Sequence, residues 1–275
     1  MLLSEIHYPK DLAEALDAVA RHPGALIYAG GTDILREEGD RALAFPTVVI
    51  CIHKLPELRK AGRTEQFLEF GACVTLSELL ELGESALPPL LAHALGGIGT
   101  PAIRNLATIG GNLACRERFM DTWPALACLD ALVELRDLEG ATWMNVNRLA
   151  GPEGEPAFPV GGLLTRIRVP IERWDVTVLR KVGNRDYPCP ETAVFALAAR
   201  AEKGILSEFR LAFAGEKALR LRDIEARLIG RSLPLSERER ASFGEEYRAA
   251  GAELPKPLAY QFGALVDAAL DMLTD

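Results

Sequence analysis

Two pairs of adjacent glycines carry the clearest chemical signal in this sequence. Gly30-Gly31 lies in YAGGTDIL, and Gly110-Gly111 lies in ATIGGNLA. A residue without a Cβ tolerates positive φ and lets another atom approach the main chain closely, and consecutive N–H groups exposed at such a turn bind phosphate oxygens. Either pair by itself is also typical of a plain turn. Two matching turns with apolar flanks favour a pyrophosphate held between two subdomains.

Polar side chains beside the glycines add hydrogen-bond donors to both turns. Thr32 and Asp33 follow the first pair, whereas Thr108 and Asn112 enclose the second pair. Neither turn matches the GxxxxGK[ST] phosphate loop or the GxGxxG dinucleotide pattern. The sequence therefore predicts phosphate binding through an architecture that differs from both of those folds.

The sequence contains no pattern for a protein-built metal centre or a nucleophile. Its four histidines lack HxxxH or HExxH spacing, and no GxSxG motif is present. The five cysteines form no CxxC pair, whereas an iron–sulfur cluster needs four thiolates brought together. We therefore predict reduced cysteines, no metal ligand and no catalytic side chain in this chain, and we expect any iron–sulfur cluster to belong to a partner.

Composition predicts a soluble globular protein. Of the 275 residues, 49% are hydrophobic and 25% are charged, which is ordinary for a folded domain. The formal net charge of -8 provides no basic field, so we expect no nucleic-acid partner. No leader pattern and no run of about 20 apolar residues is present. These features predict a cytoplasmic protein without a membrane span.

The elements that must position the first turn follow from the spacing of apolar residues. An amphipathic helix is predicted from an N-cap at Asp11 to Arg21. Buried strands are predicted at 25–28 and 47–52, and the earlier strand runs directly into the first glycine pair. This opening segment is therefore predicted to be a small α/β unit.

The second turn is predicted to lie among further helices and strands. These are a strand over 67–75 that is broken at Gly71, a helix that begins at Thr75 or Ser77, an apolar helix over 87–98, a helix from Trp123 to Leu129, and a strand pair at 131–136 and 142–147. A new subdomain is expected to begin between Lys54 and Arg63.

The last part of the chain is predicted to form a separate unit. Gly161 to Pro170 alternates apolar and polar residues toward its end, which predicts an edge strand closed by proline. Beyond it we expect a strand at 175–182, an apolar helix at 190–201, a strand at 208–214 and two or three polar helices. The predicted domains are 1–57, 58–168 and 169–275.

At these residues the sequence resembles the FAD-binding medium subunit of molybdenum hydroxylases, the family that contains xanthine dehydrogenases and carbon monoxide dehydrogenases. The resemblance spans nearly the whole chain. It is carried by AGGTD, FGACVTLSELL, RNLATIGGNLA, DTWPALACLDA, KVGNRD, FRLAFAG and IEARLIG, in that order. It implies an α+β protein: a two-subdomain FAD-binding fold of the PCMH type, followed by an α+β C-terminal domain that covers the flavin.

The resemblance also implies which residues contact FAD. Those in the two turns are Ala29, Gly30, Gly31, Thr32 and Asp33, and Thr108, Ile109, Gly110, Gly111 and Asn112. Asp121, Leu164 and Lys181 match further cofactor-lining positions. An aspartate accepts hydrogen bonds from a sugar hydroxyl or a ring N–H, and a lysine stabilises negative charge at a reduced flavin. Asp121 suits the N-cap of the following helix equally well.

Residues 115–120 depart from the family's pattern. They read CRERFM, whereas family members usually have small residues and proline there. Arg116 and Arg118 suit either a contact with phosphate or a partner, or a solvated surface, and the surface explanation is the commoner one. Cys115 has no second cysteine nearby, so packing explains it better than redox chemistry.

The function implied by the resemblance is that of one subunit in a multi-subunit molybdenum-containing oxidoreductase. Electrons from a molybdopterin-binding subunit would pass an iron–sulfur subunit, reach FAD here and continue to NAD or another acceptor. One alternative is a flavin-depleted scaffold subunit, which the 115–120 segment motivates, and another is a stand-alone flavin reductase. The substrate binds on a different chain in this family, so this sequence does not identify it.

Overall fold

The computed structural model describes residues 5–34, 47–83, 86–158, 161–183 and 189–274. Leu35 of the first glycine motif and residues 184–186 of KVGNRD lie outside the described residues. The described chain forms three β-sheets with helices packed against them. None of the helices in these ranges is long and apolar enough to cross a membrane.

Strands and helices are numbered here in chain order. The strands are β1 (Glu5–His7), β2 (Leu26–Tyr28), β3 (Val48–Cys51), β4 (Ala61–Arg63), β5 (Phe67–Gly71), β6 (Leu132–Arg136), β7 (Ala141–Asn145), β8 (Leu163–Pro170), β9 (Val176–Val182), β10 (Ala193–Glu202), β11 (Ile205–Ala214) and β12 (Ala218–Leu219). The helices are α1 (Leu12–Arg21), α2 (Leu76–Leu80), α3 (Pro89–Gly96), α4 (Pro101–Arg104), α5 (Ile109–Leu113), α6 (Thr122–Cys128), α7 (Arg222–Leu228), α8 (Glu237–Ala250) and α9 (Lys256–Asp271).

The first sheet is parallel, with strand order β1-β3-β2. Helix α1 packs on it, and the Asp11 carboxylate caps this helix by accepting a 2.8 Å hydrogen bond from the Glu14 N–H. The predicted helix, both predicted strands and the predicted α/β unit are confirmed. Strand β2 ends at Tyr28, immediately before the first glycine turn.

The second sheet is antiparallel, with strand order β4-β5-β8-β6-β7. The prediction that β8 is an edge strand is wrong, because β8 lies in the centre, between β5 and β6. A proline is tolerated there since Pro170 is the last residue of the strand and pairs only with Phe67. Strand β8 also continues past residue 168, where the second domain boundary is predicted.

The third sheet is antiparallel, with strand order β12-β11-β10-β9. The predicted apolar helix over 190–201 is wrong, because most of this segment belongs to strand β10. Phe195 and Leu197 pack against helices α7, α8 and α9, whereas Ala196 and Ala198 face the opposite way. A strand that is buried on both faces is apolar throughout, and such a run is not distinguished from a buried helix by periodicity.

One face of the third sheet contributes to the core of the second unit. Alanines of β10 and β11, among them Ala196 and Ala212, belong to the same buried cluster as Trp123 of helix α6. Their small side chains let the helix lie close to the strands, and the Cys128 thiol donates a hydrogen bond to the Ala196 carbonyl at 3.4 Å. The second and third units therefore share a hydrophobic core.

Candidate functional site

The first glycine turn presents unused backbone donors. Gly31 has φ +69°, and a Cβ on this residue would overlap the Tyr28 ring, so only glycine is accommodated there. Residues 32–34 begin a helical turn. Among the described residues, no backbone hydrogen bond uses the N–H of Gly30, Gly31 or Thr32. These three groups are available to an anionic ligand.

The second glycine turn differs from the prediction, because it is the first turn of the short helix α5. Thr108 is the N-cap: its hydroxyl accepts the Gly111 N–H at 3.1 Å, and its carbonyl accepts the Asn112 N–H at 2.9 Å. These two amides are thus used within the helix. On its side-chain face Gly111 is open apart from the Thr108 hydroxyl oxygen, which a Cβ would crowd at 2.9 Å.

The start of helix α5 is also tied to a neighbouring segment. The N–H groups of Ile109 and Gly110 donate to the carbonyl oxygens of Val74 and Ala72, at 3.1 Å and 2.9 Å. The prediction that the Gly110-Gly111 amides point at phosphate is therefore wrong for this structure. The physical reason is that a helix N-terminus needs acceptors for its first N–H groups, and the 72–74 segment supplies them.

The first glycine turn packs against the residues that lead into the second turn. A Cβ on Gly30 would overlap the carbonyl oxygen of Leu106, two residues before Thr108. On the other side, the Cys115 thiol lies 3.5 Å from the Asp33 carboxylate. Burial raises the pKa of the Cys115 thiol to about 11, and the negative charge of Asp33 contributes to the rise. The protonated thiol donates to Asp33 and links the turns.

Asn112 has a fixed side-chain orientation, and its amide nitrogen makes no hydrogen bond to any described residue. Its side-chain oxygen accepts hydrogen bonds from the Thr122 hydroxyl at 2.5 Å and from the Thr122 N–H at 3.3 Å. Two donors on the oxygen fix the orientation of the amide, so the NH2 group faces away from Thr122. Asn112 therefore offers a donor beside the open side of Gly111.

Asp121 and Lys181 form an ion pair. Lys181 Nζ lies 3.1 Å from Asp121 Oδ2, and the two side chains are only 16% and 13% exposed. Asp121 precedes helix α6, but its carboxylate makes no capping hydrogen bond. Of the two interpretations left open for Asp121, the structure does not support the N-cap. The pair joins the second unit to strand β9 of the third.

The family of this chain follows from comparison with known proteins. Residues 3–172 match the model of the FAD binding domain in molybdopterin dehydrogenase. The chain belongs to this family. The predicted resemblance and the predicted FAD cofactor are thereby confirmed.

Two named relatives match most of the chain. This chain is 29% identical over 238 residues to the xanthine dehydrogenase FAD-binding subunit of Escherichia coli O157:H7. The match covers 84% of this chain and 80% of the relative. This chain is 28% identical over 251 residues to the nicotine 6-hydroxylase medium subunit of Paenarthrobacter nicotinovorans. That match covers 88% of this chain and 86% of the relative.

Solved structures confirm the predicted fold class over the whole chain. A carbon monoxide dehydrogenase chain from Hydrogenophaga pseudoflava superposes with a TM-score of 0.85 at 23% identity, covering 99% of this chain and 97% of that chain. A chain of quinoline 2-oxidoreductase from Pseudomonas putida 86 superposes with a TM-score of 0.80 at 19% identity, covering 100% and 97%. The protein is thus an α+β protein with the two-subdomain FAD-binding fold and a C-terminal α+β domain.

The described residues fit a bound FAD. The first turn supplies free N–H groups for a diphosphate, and the open side of Gly111 admits a ligand. The NH2 group of Asn112 supplies a further donor, and the ion pair supplies charge on both sides of the boundary between the second and third units. Ala29 packs against the core of the first subdomain, so its side chain anchors the turn, and its contact with FAD stays a prediction.

Leu164 stands apart from these groups by its burial. It lies near the start of β8, is 7% exposed, and belongs to the same hydrophobic cluster as Ile109. Helix α5 contacts β8, so Leu164 lies in the hydrophobic cluster on which the second turn rests. Its contact with FAD stays a prediction.

Two positioning residues have no clear signal in the sequence. Thr122 orients Asn112, and Leu106 supplies the carbonyl against which Gly30 packs. Neither residue type marks a cofactor site, and each acts through a contact between distant segments. Sequence spacing along one element therefore could not identify them.

Removing the Thr122 hydroxyl is expected to weaken FAD binding. Thr122→Val keeps the shape of the buried side chain but removes the hydroxyl donor to Asn112, and a hydrogen bond of this kind contributes about 1 kcal/mol, or about fivefold in affinity. Titration of the FAD-free chain with FAD measures the change. Thr122→Ser is the matched control and should bind as the original chain does. Equal affinity of the valine variant would show that Thr122 does not position Asn112.

Breaking the Asp121–Lys181 pair is expected to destabilise the FAD-free chain. Lys181→Met leaves a mostly buried carboxylate without its cation, and we expect the free energy of unfolding to fall by about 2 kcal/mol. The double variant Asp121→Asn/Lys181→Met should lose less than the sum of the two single variants, because the neutral amide needs no cation. Urea unfolding measures all four chains. Additive losses would show that the two side chains do not interact.

Proposed function

We propose that this chain is the FAD-binding subunit of a multi-subunit molybdenum-containing oxidoreductase of the xanthine dehydrogenase type. In this proposal it receives electrons from iron–sulfur clusters on one partner subunit, which are supplied by a molybdopterin-binding subunit, and passes them to NAD or another acceptor. Its relatives named as a xanthine dehydrogenase FAD-binding subunit and a nicotine 6-hydroxylase medium subunit support an assembly of this kind. A cytoplasmic location is part of the proposal.

The observation that carries the proposal is the packing of the first glycine turn against the segment that leads into the second turn. Gly30 packs on the Leu106 carbonyl, which precedes the helix that carries Gly111, and no backbone hydrogen bond among the described residues uses the N–H groups of the first turn. Neither turn alone surrounds a ligand, but together they provide donors from one subdomain and surface from the next. We assign the FAD diphosphate to this junction.

The remaining residues are assigned roles that their chemistry supports. Lys181 holds a positive charge that favours an electron-rich ring, and Asp121 accepts hydrogen bonds from a ring N–H or a sugar hydroxyl while it fixes the ammonium group. When bound, FAD supplies the exchange between one-electron and two-electron carriers, which side chains cannot perform. No residue of this chain needs to transfer a proton to the substrate.

The scaffold alternative receives no support from the contacts of the 115–120 segment. Cys115 and Arg118 contact other parts of the same chain and replace neither glycine turn. The departure from the family's pattern therefore changes the packing between subdomains and leaves the turns intact.

Two measurements test the proposed function. The purified chain should show the flavin absorption bands after reconstitution with FAD, and denaturation should release FAD in near-stoichiometric amount. A colourless chain that cannot be reconstituted would instead establish the scaffold alternative. The FAD-free and FAD-loaded chains should both be tested, so that poor loading during expression is not mistaken for loss of binding.

Electron transfer is tested with the partner subunits present and absent. Substrate should reduce the flavin only in the assembled complex, because the substrate binds on another chain in this proposal. A chain that stays monomeric beside the candidate partners and is reduced rapidly by NADH would establish the stand-alone reductase instead. Replacing NAD with other acceptors in the same assay identifies the final acceptor.

A further inference from the structure

Three side chains with metal-binding chemistry meet at the outer edge of the first sheet. The ligand atoms of Glu5, His7 and His22 all lie within 4.8 Å of one another. His7 Nε2 is 3.0 Å from Glu5 Oε1, and the two imidazole rings are 5.0 Å apart between centroids. Glu5 and His7 lie on strand β1. This strand is separated by β3 from β2, the strand that leads into the first glycine turn.

The fold brings these residues together from distant positions in the sequence. Glu5 and His7 are two residues apart on β1, so their side chains lie on the same face of the sheet. His7 pairs in register with Ile50, which is buried against helix α1, so this face is the one that α1 covers. His22 follows the last residue of α1 and therefore reaches the same place.

The backbone that carries the three residues is fixed. The His22 N–H donates to the Ala18 carbonyl at 3.0 Å, and the His22 carbonyl accepts the Ala25 N–H at 2.9 Å. On β1, the ladder with β3 holds Glu5 and His7. The three side chains therefore need only rotamer changes to converge on one ion.

One ring nitrogen at the cluster lacks a hydrogen bond. His7 Nε2 is shielded from solvent and makes no hydrogen bond among the described residues, although the Glu5 carboxylate is nearby. A buried polar atom without a partner is unfavourable. A cation shared by this nitrogen, the carboxylate and the second imidazole would supply the missing partner.

We propose that Glu5, His7 and His22 bind a zinc ion. Two imidazole nitrogens and one carboxylate oxygen are ligands that Zn2+ prefers, and water completes a tetrahedral set. With Zn–N bonds of about 2.0 Å the ligand atoms must lie about 3.3 Å apart, which a small rotation of the half-exposed Glu5 side chain and the two rings provides. The ion joins β1 to the end of α1 and so stabilises the first subdomain.

Zinc titration of the full chain, produced without a histidine tag, tests this proposal. Isothermal titration calorimetry with zinc chloride should give one site, and cobalt(II) at the same site should give the visible bands of tetrahedral coordination. His22→Ala and Glu5→Gln should each weaken zinc binding by about tenfold or more. His93→Ala removes an exposed histidine elsewhere and serves as the matched control, with unchanged affinity expected.

Three outcomes of the zinc titration would overturn the proposal. If the chain binds no zinc, or if His22→Ala and Glu5→Gln bind it as tightly as the original chain, the cluster is not a metal site. His93→Ala weakening zinc binding as much as His22→Ala would also contradict the proposal, since it would indicate adventitious binding. FAD content should be the same in all variants, so failure of the zinc proposal and failure of the flavin function are distinguishable. Circular dichroism verifies that each variant is folded.

Discussion

Replacing Gly30 with alanine is expected to reduce FAD binding by about a hundredfold or more, because the added methyl group overlaps the main-chain carbonyl of Leu106. A backbone atom cannot rotate away as a side chain can, so the first turn must move off the second. The N–H groups of the first turn would then be displaced from the junction to which we assign the diphosphate. Spectroscopic titration of the purified variant with FAD measures the effect.

Two further glycine variants make this prediction specific. Gly24→Ala is the control, because a Cβ at that position contacts nothing within 4 Å, and its FAD affinity should be unchanged. Gly111→Val leaves the main-chain contact between the turns intact but fills the open side of the second turn. We expect it to fold and to lose FAD. If Gly30→Ala is too unstable to purify, Gly111→Val still decides whether the junction holds the cofactor.

The second large effect is expected at Arg118. This side chain is 8% exposed, and its guanidinium donates to the carbonyl oxygens of Cys189 at 2.6 Å and of Thr192. Arg118→Ala removes both hydrogen bonds and leaves a cavity, so the free energy of unfolding should fall by about 3 kcal/mol. Urea unfolding monitored by tryptophan fluorescence measures the loss.

Arg116 supplies the matched control for this prediction. It lies two residues away, is exposed and carries the same charge, so Arg116→Ala should change the free energy of unfolding by less than about 0.5 kcal/mol. Of the two arginines, only Arg116 fits the predicted solvated surface. For Arg118 that interpretation is wrong, because the side chain is buried between two units. Equal losses in the two variants would show that Arg118 does not anchor the third sheet.

Much of the fold was predictable because local patterns agree with it. The Thr75 capping box, with the N–H groups of Thr75 and Glu78 each bonded to the other residue's side chain, marks the start of α2. The amphipathic spacing of α1 is equally direct. The failures, β8 and β10, concern strands whose position in a sheet depends on distant segments. Strand β8 alternates toward its end although it is central, and β10 is buried on both faces and does not alternate, so the pattern does not show where either strand lies in its sheet.

In the candidate site, too, the features set by local sequence were predictable and those set by distant segments were not. Glycine pairs beside Thr32 and Asn112 identified the two turns, because the residue types themselves suit phosphate. The use of the Gly110 amide could not be predicted, since it depends on the Ala72 carbonyl from another segment. The pairing of Asp121 with Lys181 likewise requires knowledge of how the third sheet packs. The type of a residue can be read from the sequence, whereas the partner of its hydrogen bond or ion pair depends on how distant segments pack.

The alanine face of the third sheet indicates that the segment matched by the family model is shorter than the part of the chain that must fold together. The family match ends at residue 172, yet Ala196 and Ala212 lie beyond that point and complete the cluster around Trp123. A fragment cut at the family boundary would expose the apolar surface of α6 to water. Excision would thus convert a core into an aggregation surface, and the segments before and after residue 172 should melt in a single cooperative transition.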